Sequence, residues 1–309
     1  MEDIELSPIL VTGAHRSGTT WIGKMLAADP STAYVSEPLN VWHRPGVFRA
    51  PVKYWYQYIC DENKSEFLSA FNELLEFEYH LWKEIRSIRS LKDFLRMGRD
   101  FRTFYYGLEE GRRAILKDPF AVFSAVWFAH RLNFKVLISV RHPLAFASSL
   151  KRLNWSFDFQ DLLGQPLLMR DYLEPYRSQM GSVKSDDVIG QAALLWKMIY
   201  QTVYSMLSLN PDFILVRHED LARDPANEFR KLFSSLGLDY SHHIEKIILE
   251  TSSTENPMEL SRRKVHDVKL DSRASMDNWK KRLTEDEIKR VREITEETSQ
   301  LFYTSTEWA

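Results

Sequence analysis

Gly13-Ala14-His15-Arg16-Ser17-Gly18-Thr19-Thr20-Trp21 stands between an apolar run, Ile9-Leu10-Val11-Thr12, and a helical pattern from Thr19 to Ala28. The run reads as a buried strand, and the two glycines have the spacing of a phosphate-binding loop. In such a loop, backbone N–H groups and a helix N-terminus surround phosphate oxygens. A nucleotide-hydrolysing loop carries lysine directly after the second glycine. Here that position is Thr19, and the cation has moved into the loop as Arg16. No strand ends in an aspartate suited to holding the accompanying magnesium ion. The plainer alternative is an ordinary strand–turn–helix joint. It accounts for the glycines but not for a cation and two hydroxyls beside them.

Outward from this loop, short apolar runs alternate with longer helical patterns. Thr32 to Val35, Ala114 to Leu116, Phe134 to Val140 and Phe213 to Val216 read as strands. Phe120 to Arg131, a segment starting at Pro143, Val188 to Leu209 and Pro225 to Leu236 read as helices, the last ending at Gly237. Thr284 with Glu287 forms a capping box for a helix running to about Phe302. This alternation predicts an α/β fold: a P-loop-type central parallel sheet with helices on both faces. Val41 to Gly111, aromatic-rich and mainly helical, and Asn154 to Asp187 break the rhythm. Both are read as helical insertions in a single domain spanning 1–309, because later strands are needed to complete the sheet.

Composition narrows the setting. The 309 residues carry 41 Lys+Arg and 43 Asp+Glu, a formal net charge of −2, which argues against a general nucleic-acid binder while leaving room for a local basic pocket. One cysteine, Cys60, excludes an intrachain disulfide framework and a cysteine-rich metal site. The acidic start, Met1 to Pro8, lacks the features of a signal peptide, and no window is long and apolar enough to insert in a membrane. A reducing cytoplasm is the expected location.

His15-Arg16-Ser17-Gly18-Thr19-Thr20-Trp21 resembles the 5′-phosphosulfate loop of sulfotransferases that use 3′-phosphoadenylyl sulfate (PAPS). A second motif of that family is a strand-end arginine with serine eight residues later. Val140-Arg141-His142-Pro143 supplies the arginine and Ser149 the serine. Arg141 offers a forked cation for a phosphate dianion, and Ser149 adds a hydroxyl from the next helix. Val216-Arg217-His218-Glu219-Asp220-Leu221 is similar to a further family segment that usually has tyrosine at the His218 position. Trp279 resembles a tryptophan that follows the C-terminal cofactor loop, to which Arg262-Arg263-Lys264 would belong; the glycine common there is Val265 here. The resemblance implies cofactor contacts from Arg16, Ser17, Gly18, Thr19, Thr20, Trp21, Arg141 and Ser149. For Trp21, stacking on the adenine and simple burial in the core remain open.

Sulfuryl transfer needs a base for the acceptor hydroxyl and cations for the transferring and leaving groups, and it requires no metal. Arg16 is placed for the leaving phosphate. Cytosolic small-molecule sulfotransferases take their base from a Lys-Thr-His context that is missing here. Instead Ser36-Glu37-Pro38-Leu39 follows the second strand, which resembles the carbohydrate, tyrosylprotein and bacterial branches, where glutamate is the base. The resemblance therefore assigns catalysis to Glu37, with Lys117 of Leu116-Lys117-Asp118-Pro119 stabilising the transferring group. The plainer roles are an ion pair of Glu37 with Arg44 or Arg49, and of Lys117 with Asp118. His15 is the rival base; His130 and His142 are weaker ones. The implied activity is transfer from PAPS to a hydroxyl acceptor, a carbohydrate or a small alcohol or phenol. A P-loop kinase or NTPase with a degenerate loop, and a non-catalytic bisphosphate-binding module, are the alternatives. Acceptor identity and oligomeric state leave no trace in the sequence.

Overall fold

A computed structural model describes residues 7–259 and 267–308. Five strands form one sheet: β1 (Ile9–Gly13), β2 (Thr32–Ser36), β3 (Arg113–Lys117), β4 (Lys135–Val140) and β5 (Ile214–Arg217). Their order is β2-β3-β1-β4-β5 and every pairing is parallel. Parallel neighbours require crossovers, and helices supply them. These are α1 (Thr19–Leu26), α2 (Leu68–Leu75), α3 (Leu81–Ser87), α4 (Leu91–Glu109), α5 (Ala125–Leu132), α6 (Pro143–Leu153) and α7 (Val188–Leu209), with α8 (His218–Arg223), α9 (Pro225–Leu236), α10 (His242–Ser252) and α11 (Glu285–Ser299) after the last strand.

Strand side chains alternate between two apolar cores, as a period of two dictates. Leu10, Leu116, Val136 and Ile138 pack with Phe146, Trp196 and Tyr200 from α6 and α7. Ile9, Val11, Ile115 and Leu137 face Ile22 and Leu26 of α1 and Phe229 and Phe233 of α9. Both faces are thus covered, the usual condition of a parallel sheet. Local signals set the helix ends. Pro143 opens α6, Gly237 at φ 68° closes α9, and Thr284 and Glu287 make the expected reciprocal cap on α11. Register places Gly13 beside Ser139, Ser36 beside Lys117 and Val140 beside Arg217, so the loops leaving these strands emerge from one edge of the sheet.

Three details depart from the sequence reading. Phe120 to Arg131 is not one helix. A tight 3₁₀ stretch, Pro119–Ser124, precedes α5, capped by Asp118 accepting from Phe120 N at 2.9 Å, and every residue in it is buried. Residues 41–67 of the first insertion are largely irregular before α2. They are anchored by aromatic packing, with ring centroids of Phe48–Phe71 4.6 Å apart and of Phe71–Phe128 4.9 Å apart. Residues 154–187 form short helical turns tied to the first insertion, with Gln165 Oε1 accepting from Tyr58 N at 2.7 Å.

Candidate active site

The loop after β1 is forced by two contacts. Gly13 has φ +142°, and a Cβ there would lie 2.3 Å from the carbonyl oxygen of Ser139. Gly18 has φ +100°, and a Cβ there would meet His218 Nδ1 at 2.5 Å. Only glycine meets both demands. Arg16 also takes a left-handed backbone, φ 67°. Long-range hydrogen bonds hold this shape. Ser139 Oγ donates to Ser17 O at 2.7 Å. Tyr200 OH donates to Ser139 O at 2.9 Å and accepts from Ala14 N at 3.3 Å. Tyr56 OH accepts from His15 N at 3.1 Å. Gly18 is the N-cap of α1 and makes no side-chain cap bond, so the first turn presents its N–H groups at the loop.

Arg16, Arg141 and Ser149 come together. Arg16 Nε donates to Ser149 Oγ at 3.2 Å, and Arg141 Nη1 donates to Arg16 O at 3.1 Å. Arg141 is fixed through its own carbonyl, which accepts from Trp196 Nε1 at 2.8 Å. Its Nε is buried and has no partner among the described residues. Burial, then Arg141 and Arg152, lower the Arg16 pKa to about 10, so it stays a cation at neutral pH. Ser17 and Thr19 are buried within the loop, and Thr20 is half-buried. Trp21 is 9% exposed, packs edge-on against Phe229 and His218, and its Nε1 lies 3.4 Å from Thr251 Oγ1. Trp279 is likewise buried, beside His142. Arg262-Arg263-Lys264 lies outside the described residues.

On the other side of the loop, Glu37 and Lys117 form an ion pair. β2 and β3 bring them together, because Ser36 is in register with Lys117 and Glu37 N donates to Lys117 O at 2.8 Å. Glu37 sits at φ 53°, and its Oε2 accepts from Asn40 Nδ2 at 2.9 Å. The alternative partners are occupied elsewhere: Arg44 pairs with Glu84 and Asp93, and Arg49 with Glu73. Lys117 is almost fully buried. Burial disfavours its charge, but Tyr34 and Glu37 outweigh this and raise its pKa. Asp118 makes no ion pair with Lys117. Its carboxylate accepts from Leu39 N at 2.6 Å and Phe120 N at 2.9 Å, which fixes the turn carrying Glu37. Burial, with the Glu37 charge next, pushes Asp118 up to about 7.

A cavity of ≈ 630 Å³ opens at this pair, within the range of small-molecule sites. Glu37, Lys117, Thr20 and Lys24 line it, and Trp42, Arg96, Arg99 and Phe104 are among the lining residues contributed by the first insertion. Residues 154–187 contribute none of the lining. Trp155 instead stands over the Arg16 guanidinium, 5.8 Å from it. His15 is outside the cavity lining. Its Nδ1 is 2.6 Å from Tyr56 OH, it lies among Phe120, Phe146 and Trp155, and burial, then Arg16, hold its pKa near 4. His130 is exposed against Asn210, and His142 is buried against Tyr303 and Trp308. The sequence reading missed Tyr56, Trp196 and Tyr200. Their hydroxyl or indole groups hold the loop from apolar surroundings, where nothing in the pattern separates a structural aromatic from a hydrogen-bonding one.

A phosphate-type loop thus stands at the sheet edge, with an ion-paired acid opening into a cavity beside it. The chain belongs to the sulfotransferase domain family, which it matches over residues 6–303. A comparison with curated proteins found no match. Among solved structures, the chain is similar to the sulfotransferase domain from the curacin biosynthetic pathway (18% identity, 96% of this chain and 98% of that one, TM-score 0.48). It is also similar to the sulfotransferase domain of the Synechococcus PCC 7002 olefin synthase (19% identity, 96% and 95%, TM-score 0.49). Mouse sulfotransferase SULT7A1 complexed with PAP gives 12% identity, 98% and 87% coverage, and a TM-score of 0.45.

Proposed function

We propose that this sulfotransferase uses PAPS as donor and transfers its sulfuryl group to a hydroxyl acceptor, a carbohydrate or a small alcohol or phenol. The observation that carries the reading is the meeting of Arg16, Ser149 and Arg141 on one side of the glycine loop, with the Glu37–Lys117 pair on the other. The buried, unpartnered Arg141 Nε and the uncapped first turn of α1 fit a highly anionic nucleotide. Arg141 and Ser149 would hold its 3′-phosphate. Ser17, Gly18, Thr19 and Thr20 would hold the 5′ side through N–H and hydroxyl groups, with Trp21 backing the loop from below. When bound, PAPS supplies an activated sulfuryl group.

The chain's own groups divide the remaining work. Glu37 faces the cavity and takes the acceptor's proton. Lys117 holds Glu37 in place and brings positive charge to the point where acceptor and donor meet. Arg16, charged at any relevant pH, neutralises the departing phosphate. Asp118 is a positioning residue for the Glu37 turn. We read 1–309 as one sulfotransferase-like domain with insertions 41–111 and 154–187, the first supplying the acceptor-side cavity walls and the second reaching Arg16 through Trp155. Lone Cys60 has no part in the chemistry and suits a reducing cytoplasm.

The test is turnover with labelled PAPS against a panel of sugars, alcohols and phenols. Label should pass to at least one hydroxyl compound without added metal. Phosphoryl transfer from ATP with Mg²⁺, and none from PAPS, would instead support the kinase alternative.

A further inference from the structure

The helix that walls the cavity wears its apolar stripe on the outside. Amphipathic helices in globular proteins turn that stripe inward. On α4 the buried residues are Phe104 and Gly107, with Asp93 and Asp100 on the same inner side. Leu91, Phe94, Leu95, Phe101, Tyr105 and Leu108 recur at helical spacing on the opposite side and are between 44% and 76% exposed. On α3, whose inward Glu84 shares Arg44 with Asp93 of α4, Trp82 and Ile85 are likewise 75% and 41% exposed.

The charges around most of the patch are positive, with exposed Glu109 and Glu110 only at the C-terminal end of α4. Lys92, Arg96, Arg99 and Arg102 flank the stripe on α4, and Lys83, Arg86 and Arg89 surround its start; all are exposed. The acids nearer the start of α4 turn away from the patch: Glu84 is fully buried on Arg44, Asp93 also pairs with Arg44, and Asp100 pairs with Arg99. Exposed aromatic and aliphatic side chains rimmed by cations match the two components of an anionic bilayer surface, an acyl boundary beneath negative headgroups. A second copy suits the face poorly, because a two-fold interface would set these cations against themselves. We propose that the outer face of α3 and α4 docks on an anionic lipid bilayer. Resting on the sulfuryl-transfer reading, this places the mouth of the acceptor cavity at the membrane surface, since Arg96, Arg99 and Thr103 of α4 line that cavity.

Co-sedimentation of the full chain with phosphatidylcholine vesicles, with and without phosphatidylglycerol, tests the proposal. Binding should be at least about tenfold tighter to the anionic vesicles and should weaken with salt. Leu91→Ser with Leu95→Ser, and separately Lys92→Gln with Arg102→Gln, should each lower it about tenfold. Neither pair lines the cavity, so both should bind 3′-phosphoadenosine 5′-phosphate as the parent does. No preference for anionic vesicles, or equal binding by the variants, overturns the proposal. So does a dimer in light scattering that Leu91→Ser with Leu95→Ser dissolves and vesicles do not disturb. If the bisphosphate fails to bind while vesicles still do, the sulfuryl-transfer reading falls and the docking surface stands.

Discussion

The two sides of the glycine loop are built to different standards. On the Arg141 side the backbone is held by long-range hydrogen bonds, Ser139 to Ser17, Tyr200 to Ser139 and Trp196 to Arg141, while Ser17 Oγ, Arg141 Nε and His218 Nδ1 are buried without partners among the described residues. On the Glu37 side one buried ion pair opens into a wide cavity whose walls come from an insertion with a largely exposed outer face. A site that takes one invariant nucleotide gains from rigidity, because fixed dipoles need no reorganisation when charge develops. A site that selects its acceptor is better placed on elements that can change without disturbing the sheet.

Substitutions should separate the sides, and the largest effect belongs to the open one. Glu37→Gln should cut kcat by about 10²- to 10⁴-fold while affinity for 3′-phosphoadenosine 5′-phosphate is unchanged. Intact turnover would move the base elsewhere, His15 being next to try. On the closed side, Arg141→Ala should weaken the bisphosphate by about 2 kcal/mol, measured by calorimetry, and adenosine 5′-phosphate much less. Equal losses would mean that Arg141 does not read the 3′-phosphate.

Stability should also be pH-dependent. His15 and His142 are both held near 4, mainly by burial, below the ordinary 6.5. At each histidine the unfolded chain therefore takes up the proton first, so each removes folding stability as pH drops from 6.5 towards 4, opposed by Asp118, whose raised pKa adds stability over the same range. The loss is at most about 3 kcal/mol for each histidine. His142→Gln should flatten that fall in urea titrations at several pH values, and an unchanged slope would count against it. The last effect is at the loop glycine. Gly18→Ala should cost about 1–3 kcal/mol from its positive φ and the approach to His218, read as a lowered Tm.

The same contrast governs what the sequence made legible. The loop could be read because its constraints are local: Gly13 and Gly18 answer backbone demands, and Arg16 sits where a cation replaces the missing lysine. Arg141 and Ser149 were legible as a strand end and the second turn of the next helix. The pairing of Glu37 with Lys117 was not, since it depends on β2 lying beside β3, and the chain between them holds the whole first insertion. Nor could periodicity tell that α4 turns its apolar stripe outward, because the pattern is the same whichever side meets the protein.

Isothermal titration with 3′-phosphoadenosine 5′-phosphate, and separately with ATP and Mg²⁺, tests the central claim most directly. The arrangement of Arg16, Arg141 and Ser149 around the loop predicts heat from the bisphosphate and none from ATP. Binding of ATP with no binding of the bisphosphate would contradict it.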